Sequence, residues 1–202
     1  MTGDRAAAAD GRTRRREQNR DAVIDALLAL FAEGSYQPST AQVAGRAGLS
    51  LRSLFRYFDD VDDLHQAAAR RQRMLARPLI ELIVDPDQPA ADKVRAVVRA
   101  RARLYEQIGP AARALRACAH RHEPLAAELA RNRAFLRGQL AAVFAPETAA
   151  SGVAVLPAID VLCSFESYEL LRHDQGLSPR RAEAALIDAI GALLGVRQEV
   201  TA

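Results

Sequence analysis

The chain has 202 residues, half of them hydrophobic, and a formal net charge of +3. This length suits one large domain or two small ones, because domains usually hold about 100 to 200 residues. Two cysteines are too few for a disulfide framework, the arginine-rich N-terminus does not resemble a signal peptide, and no run of about 18 uncharged apolar residues occurs. We therefore expect a soluble, cytoplasmic protein with no membrane partner.

The N-terminal residues 1–18 are predicted to form a flexible basic arm. Residues 1–11 are small, polar and alanine-rich, a composition typical of disorder. The basic cluster that follows consists of Arg12, Arg14, Arg15 and Arg16. A first helix then begins near residue 19, since apolar residues recur on one helical face at Ile24, Leu27, Leu28 and Phe31. Gly34 predicts its end.

Residues 38–58 predict two short helices joined by a tight turn. Ser39 and Gln42 have the spacing of a capping box, which starts a second helix that runs to about Ala47. Gly48 permits the left-handed conformation that ends a helix, and Ser50 is suited to cap a third helix over residues 51–58. This is the spacing of a helix-turn-helix.

The remainder of the chain also predicts helices. A fourth helix begins near Asp60 or Asp63, with a kink or an end at Pro78. Gly109 and Pro110 are expected to break the fifth helical stripe and leave a short helix over residues 111–119.

The C-terminal half continues in the same way. A longer helix is predicted to end near residue 145, and two strongly apolar helices are predicted to close the chain. The first of these runs from about Leu156 to Leu170, and the second begins after Ser178 and Pro179. No alternating strand pattern and no internal repeat occurs, so the predicted fold class is all-α with about nine helices.

The segment from about residue 19 to residue 68 resembles the DNA-binding domain of TetR-family transcriptional regulators. The resemblance rests on S-T-A-Q-V-A-G-R-A-G-L-S at its centre and S-L-F-R-Y-F-D-D-V-D-D-L after it. It implies a DNA-binding domain over residues 19–66 and a helical effector-binding and dimerisation domain over residues 67–202. It also implies a homodimer on a palindromic double-stranded operator, a small-molecule effector and, in the family's commoner mode, repression.

The resemblance assigns roles to residues of the predicted third helix and its surroundings. Thr40 and Tyr57 would hold phosphates, and Arg56 shares the outward face with residues that would lie against bases or backbone, namely Leu51, Arg52, Ser53 and Phe55. The basic cluster would contact the minor groove or phosphates. An arginine can donate two hydrogen bonds to guanine, which is worth about 1 to 3 kcal/mol of discrimination, so Arg52 is the foremost candidate for base recognition.

The chain departs from the family's usual pattern at three of these positions. Arg52 replaces a small residue, Phe55 replaces a tyrosine, and Val61 replaces a phosphate-holding lysine. Four aspartates crowd the same region: Asp59, Asp60, Asp62 and Asp63. The net charge is positive over residues 1–58 but becomes negative once these aspartates are counted. DNA binding would therefore depend on the basic arm and the third helix.

Other functional classes have less support from the sequence. Four aromatic residues are candidates to line an effector pocket or simply to fill the core: Tyr105, Phe135, Phe165 and Tyr168. The alternating spacing of Cys118, His120 and His122 does not suit a zinc site, so we expect no metal and no cofactor. No catalytic motif occurs, and we expect no enzyme. The alternative is a helical protein-interaction module without specific DNA binding.

Overall fold

The computed structural model describes residues 3–151 and 155–196, and within these ranges the chain is all-α, as predicted. Ten α-helices occur there, against about nine predicted. They are α1 (Gly3–Ala32), α2 (Thr40–Arg46), α3 (Leu51–Leu54), α4 (Val61–Ile80), α5 (Ala90–Ala119), α6 (Glu123–Val143), α7 (Ala145–Ser151), α8 (Val155–Leu162), α9 (Phe165–Glu169) and α10 (Pro179–Leu193). A π-helical turn, Leu170–Asp174, follows α9.

The chain divides into two compact units, each made of two segments. Unit 1 consists of Met1–Leu75 and Gly109–Leu129, and unit 2 of Ala76–Ile108 and Ala130–Ala202. The boundary predicted between residues 66 and 67 falls inside α4, whereas the division lies after Leu75. The membership of Gly109–Leu129 in unit 1 was not predicted, because sequence patterns do not show which distant segments pack together.

The core of unit 1 is built from the helices of the predicted helix-turn-helix. Val43, Ala44, Leu54 and Phe58 are buried in one cluster with Ile24, Leu27 and Phe31, while Ala47 and Leu49 pack against it partly buried. The small alanine side chains allow the helices to approach closely. Arg71 of α4 donates to the carboxylates of Asp21 and Asp25 and so ties α4 to α1.

The N-terminal arm is helical where the structure describes it. The helix α1 begins at Gly3, so the expected disorder of residues 1–11 is wrong for the backbone of residues 3–11. Alanine and arginine have high helix propensity, and a helix already fixed by the packing of residues 23–31 adds one hydrogen bond for each residue that extends it. The flexibility of the arm as a whole stays a prediction.

Gly109 and Pro110 do not break α5, which runs without interruption from Ala90 to Ala119. Pro110 removes one hydrogen bond of the helix, but good helix formers flank it on both sides, and tertiary burial of Tyr105, Ala112 and Ala114 stabilises the two halves. The division between the units falls at this point of α5, between Ile108 and Gly109.

Unit 2 contains the helices predicted to close the chain, with one interruption. The helix expected between Leu156 and Leu170 ends at Leu162, because the backbone of Ser164 is extended and its hydroxyl accepts from Ser167 N at 3.1 Å, which starts α9. The chain's single lysine, Lys93, is buried and pairs with Glu147 at 2.5 Å. Among the described residues, no helix combines the length and the apolar character that a bilayer crossing requires.

Candidate nucleic-acid interface

The caps and the turn that shape the helix-turn-helix occur where the sequence predicts them. The Ser39 hydroxyl accepts from Gln42 N at 3.3 Å, and the Gln42 side chain accepts from Ser39 N at 2.8 Å, which completes the capping box of α2. Gly48 has a φ of 68°, and Ser50 caps α3 by accepting from Ser53 N at 3.2 Å. The orientation of α3 is therefore fixed by local hydrogen bonds.

One face of α3 and the turn after it points to solvent. Leu51 and Phe55 are each 44% exposed although both are large and apolar, and Arg52 and Arg56 are exposed beside them. We call these four residues the α3 surface. Leu54 on the opposite side is fully buried and anchors α3 to the core. The α-helix is shorter than the predicted 51–58, since residues 55–57 continue it as hydrogen-bonded turns.

Tyr57 lies at the edge of the α3 surface and is held by α1. Its hydroxyl accepts from Asn19 Nδ2 at 2.9 Å, and its ring is partly buried against the core. The guanidinium of Arg20 stacks over the ring of Phe58 at 4.9 Å. Sequence analysis missed Asn19 and Arg20, because their partners lie far along the chain.

The remaining predicted contact residues differ in how exposed their side chains are. Thr40, the first residue of α2, and Ser53 are half-buried, and the Ser53 hydroxyl lies 3.0 Å from that of Ser50. Arg14, Arg15 and Arg16 are exposed on α1. Arg12 lies in the same helix, and its side chain lies outside the described part of the structure.

The acidic start of α4 is largely engaged within the protein. Asp60 caps the helix by accepting from Asp63 N at 2.7 Å, and Asp62 lies 2.6 Å from His122 Nδ1. Asp63 pairs with Arg70 at 3.7 Å. Three of the four aspartates therefore have partners within the protein, but only Asp63 faces a side chain with a fixed positive charge, that of Arg70.

The neighbours of His122 are not Cys118 and His120, the two residues whose spacing was considered in the sequence analysis. Cys118 is buried, with its thiol 3.9 Å from the Tyr36 carbonyl, and burial raises the pKa of that thiol. His122 packs instead against His65, with ring centroids 5.9 Å apart. Burial, followed by the proximity of His122, lowers the pKa of His65, while Asp62 acts in the opposite direction. The only feature of the sequence that indicates this cluster of Asp62, His65 and His122 is the i,i+3 spacing of Asp62 and His65.

In unit 2, three of the four predicted pocket residues form one buried cluster. Tyr105 contacts the rings of Phe165 and Tyr168, with centroids 5.5 Å and 5.8 Å away, and donates from its hydroxyl to the Cys163 carbonyl at 2.7 Å. Phe135 is 55% exposed and so does not share that burial.

Polar groups border this aromatic cluster. The Tyr168 hydroxyl donates to Glu106 at 2.8 Å, and Arg172 Nε donates to the same oxygen at 2.7 Å. The hydrogen bond from Arg172 holds the pKa of Glu106 below its usual range, and burial raises the pKa of Tyr168.

Comparison with solved structures identifies the fold. No protein-family model matches the chain, and no curated protein does either. A transcriptional regulator from Rhodococcus sp. Rha1 superposes with a TM-score of 0.65 at 20% identity, covering 89% of this chain and 96% of that one. A TetR-family transcriptional regulator from Rhodococcus sp. superposes equally well, at 0.65 and 22% identity, covering 87% and 98%.

A third similar structure is the multidrug binding protein EbrR complexed with imidazole, with a TM-score of 0.57 and 19% identity over 93% of both chains. The chain thus has the all-α fold of solved transcriptional regulators. That fold is the one found in the TetR family, so the resemblance recognised in residues 19–68 extends to the architecture of most of the chain.

Proposed function

We propose that the chain is a DNA-binding transcriptional regulator that reads DNA with the α3 surface. The observation that carries this proposal is the exposure of Leu51, Arg52, Phe55 and Arg56 on α3 and the turn after it, where the Ser50 cap and the left-handed Gly48 determine the start of the helix. Exposed arginines beside apolar side chains suit the major groove, where guanine edges accept hydrogen bonds and thymine methyl groups offer apolar contact. The fold of known regulators supports the same conclusion.

All of the predicted contact residues except Arg56, which shares the exposed face without a separate role, have a stated part in this proposal. Arg52 would donate to a guanine, and Leu51, Ser53 and Phe55 would lie against bases or the adjoining backbone. Thr40 and Tyr57 would donate to phosphates, which position the helix without reading sequence. Further phosphate or minor-groove contacts would come from the arm, through Arg12, Arg14, Arg15 and Arg16.

The regulator is proposed to act as a homodimer. Large apolar side chains are exposed in the last helices of unit 2, with Val161 63%, Leu170 53% and Leu193 41% exposed. The helices α8 and α10 pack on each other, so a second copy could complete a four-helix interface there. A two-fold dimer would place two copies of α3 about 34 to 36 Å apart, as a palindromic operator requires.

Operator affinity is proposed to respond to a small molecule in unit 2, with repression as the mode of action. The similarity to EbrR, a multidrug binding protein, supports a ligand site. Tyr105, Phe165 and Tyr168 offer aromatic surface there, with Glu106 and Arg172 as polar neighbours. The exposed Phe135 would take part only at the edge of such a site. A ligand that favours one conformation of the dimer would shift the DNA-binding equilibrium.

Selection of binding sites from a random duplex pool tests the proposal. The purified chain should enrich a palindrome with half-sites about 10 base pairs apart, and affinity should fall steeply with salt because phosphate contacts release counterions. No enrichment at low salt would contradict DNA binding and would favour a protein-interaction module, for which the α3 surface would be the contact.

A further inference from the structure

Three side chains of types that bind metals lie close together at the start of α4 and just before α6. Asp62 and His65 lie one turn apart on α4, and His122 directly precedes α6. One ligand atom from each residue can be chosen so that all three lie within 4.8 Å of one another. All three residues belong to unit 1.

The distances are compatible with coordination of a single ion. Bonds of about 2.0 to 2.1 Å at tetrahedral angles place ligand atoms about 3.3 Å apart. Asp62 Oδ1 and His122 Nδ1 are at 2.6 Å, closer than this, and no pair exceeds 4.8 Å.

The ligand types select the class of ion. Two imidazoles and one carboxylate suit borderline divalent ions of the first transition row, such as Zn²⁺, Co²⁺ or Ni²⁺, whereas Mg²⁺ and Ca²⁺ prefer oxygen ligands throughout. Three protein ligands leave one tetrahedral position for water. His120, two residues before His122, is not part of the cluster.

A second observation points to a ligand at this position. His65 Nδ1 is buried and has no hydrogen-bond partner among the described residues. Burying an imidazole nitrogen without a partner is unfavourable, and an ion bound at Nδ1 would supply the missing partner. The side chains of Asp62 and His122 remain 41% and 26% exposed, which gives an ion access from solution.

We propose that Asp62, His65 and His122 form a binding site for a divalent first-row transition metal ion, with Zn²⁺ as its representative. The ion would replace the contact between Asp62 and His122 and join the first turn of α4 to the turn that precedes α6. Because α4 begins at Val61, three residues after Phe58, the ion would stabilise the segment that follows the α3 surface. The site does not depend on whether the chain binds DNA.

Titration of the tag-free, metal-free full chain with Co²⁺ tests the site. The visible absorption of Co²⁺ should rise to one equivalent with the intensity of a tetrahedral complex, and Zn²⁺ should displace it. Asp62→Asn, His65→Gln and His122→Gln should each weaken Co²⁺ binding by more than about tenfold, since even outer-shell partners of a metal account for that much affinity. The chain's other two histidines supply matched controls, His120→Gln and His173→Gln, which should bind as the wild type does.

Two results would overturn the proposal: a wild-type chain that binds Co²⁺ no more tightly than His122→Gln, or equal weakening by the control substitutions. Thermal unfolding in chelator shows whether each variant folds. If the ligand variants do not fold, NMR of the wild-type Co²⁺ complex decides instead. Paramagnetically shifted imidazole signals from two histidines support the site, and their absence contradicts it.

Discussion

At Tyr57, a single hydroxyl has one observed partner, Asn19, and one proposed partner, a DNA phosphate. It accepts from Asn19 and still carries the hydrogen that would be donated to a phosphate. Tyr57→Phe should therefore weaken binding to all duplexes by about 10- to 150-fold, because a hydrogen bond to a charged group is worth about 1.5 to 3 kcal/mol, and base preference should not change. Asn19→Ala keeps the hydroxyl and should cost less. Equal affinities of Tyr57→Phe and the wild type, measured by fluorescence anisotropy, would remove Tyr57 from the interface.

Cys163 illustrates how burial governs chemistry at a single residue. Burial raises the pKa of its thiol to about 12, and the thiolate is the reactive form. In a Cys118→Ser variant, the native protein at mildly alkaline pH should react with a thiol reagent at least about a hundredfold more slowly than the urea-unfolded protein. Comparable rates in the two states would show that Cys163 is accessible.

Within the helix-turn-helix, Gly45 and Gly48 allow the effect of backbone conformation on stability to be compared at two nearby glycines. An added Cβ would meet nothing within 4 Å at either Gly45 or Gly48, but only Gly48 has a positive φ. Gly48→Ala should lower the free energy of unfolding by about 1 to 2 kcal/mol through backbone strain alone. Gly45→Ala, inside α2, should raise it by about 0.5 to 1 kcal/mol. Denaturant unfolding measures both, and a loss of stability at Gly45 equal to that at Gly48 would contradict this explanation.

Local signals in the sequence predicted the elements around this turn well. Ser39, Gln42, Gly48 and Ser50 act within a few residues of themselves, so their caps and turns could be inferred without the fold. Pro110 was misread because helix formers and burial on both sides override its local effect. The contacts of Tyr57 with Asn19 and of His122 with Asp62 join residues far apart in the chain, and no local pattern reports such pairs.

At the scale of the whole molecule, the proposed dimer predicts that substitution of one exposed apolar residue, Val161, prevents dimerisation. Val161→Asp would place a charge in the proposed interface of α8 and α10, so the variant should elute with the mass of a monomer and bind the palindrome weakly. Ile83→Asp is the control, because Ile83 is 93% exposed and lies outside both helices. Light scattering after size exclusion measures the mass. A Val161→Asp variant that remains a dimer would place the interface elsewhere.

The proposal that α3 reads DNA depends most directly on Arg52. The decisive measurement is parallel selection from one random duplex pool with the wild type, Arg52→Ala and the charge-matched control Arg99→Ala, whose arginine is exposed on α5, outside both α3 and the proposed interface. All three proteins should select one palindrome, and only Arg52→Ala should lose preference at a single base pair of each half-site, equivalent to about 1 to 3 kcal/mol. An unchanged consensus for Arg52→Ala would contradict base recognition by this residue.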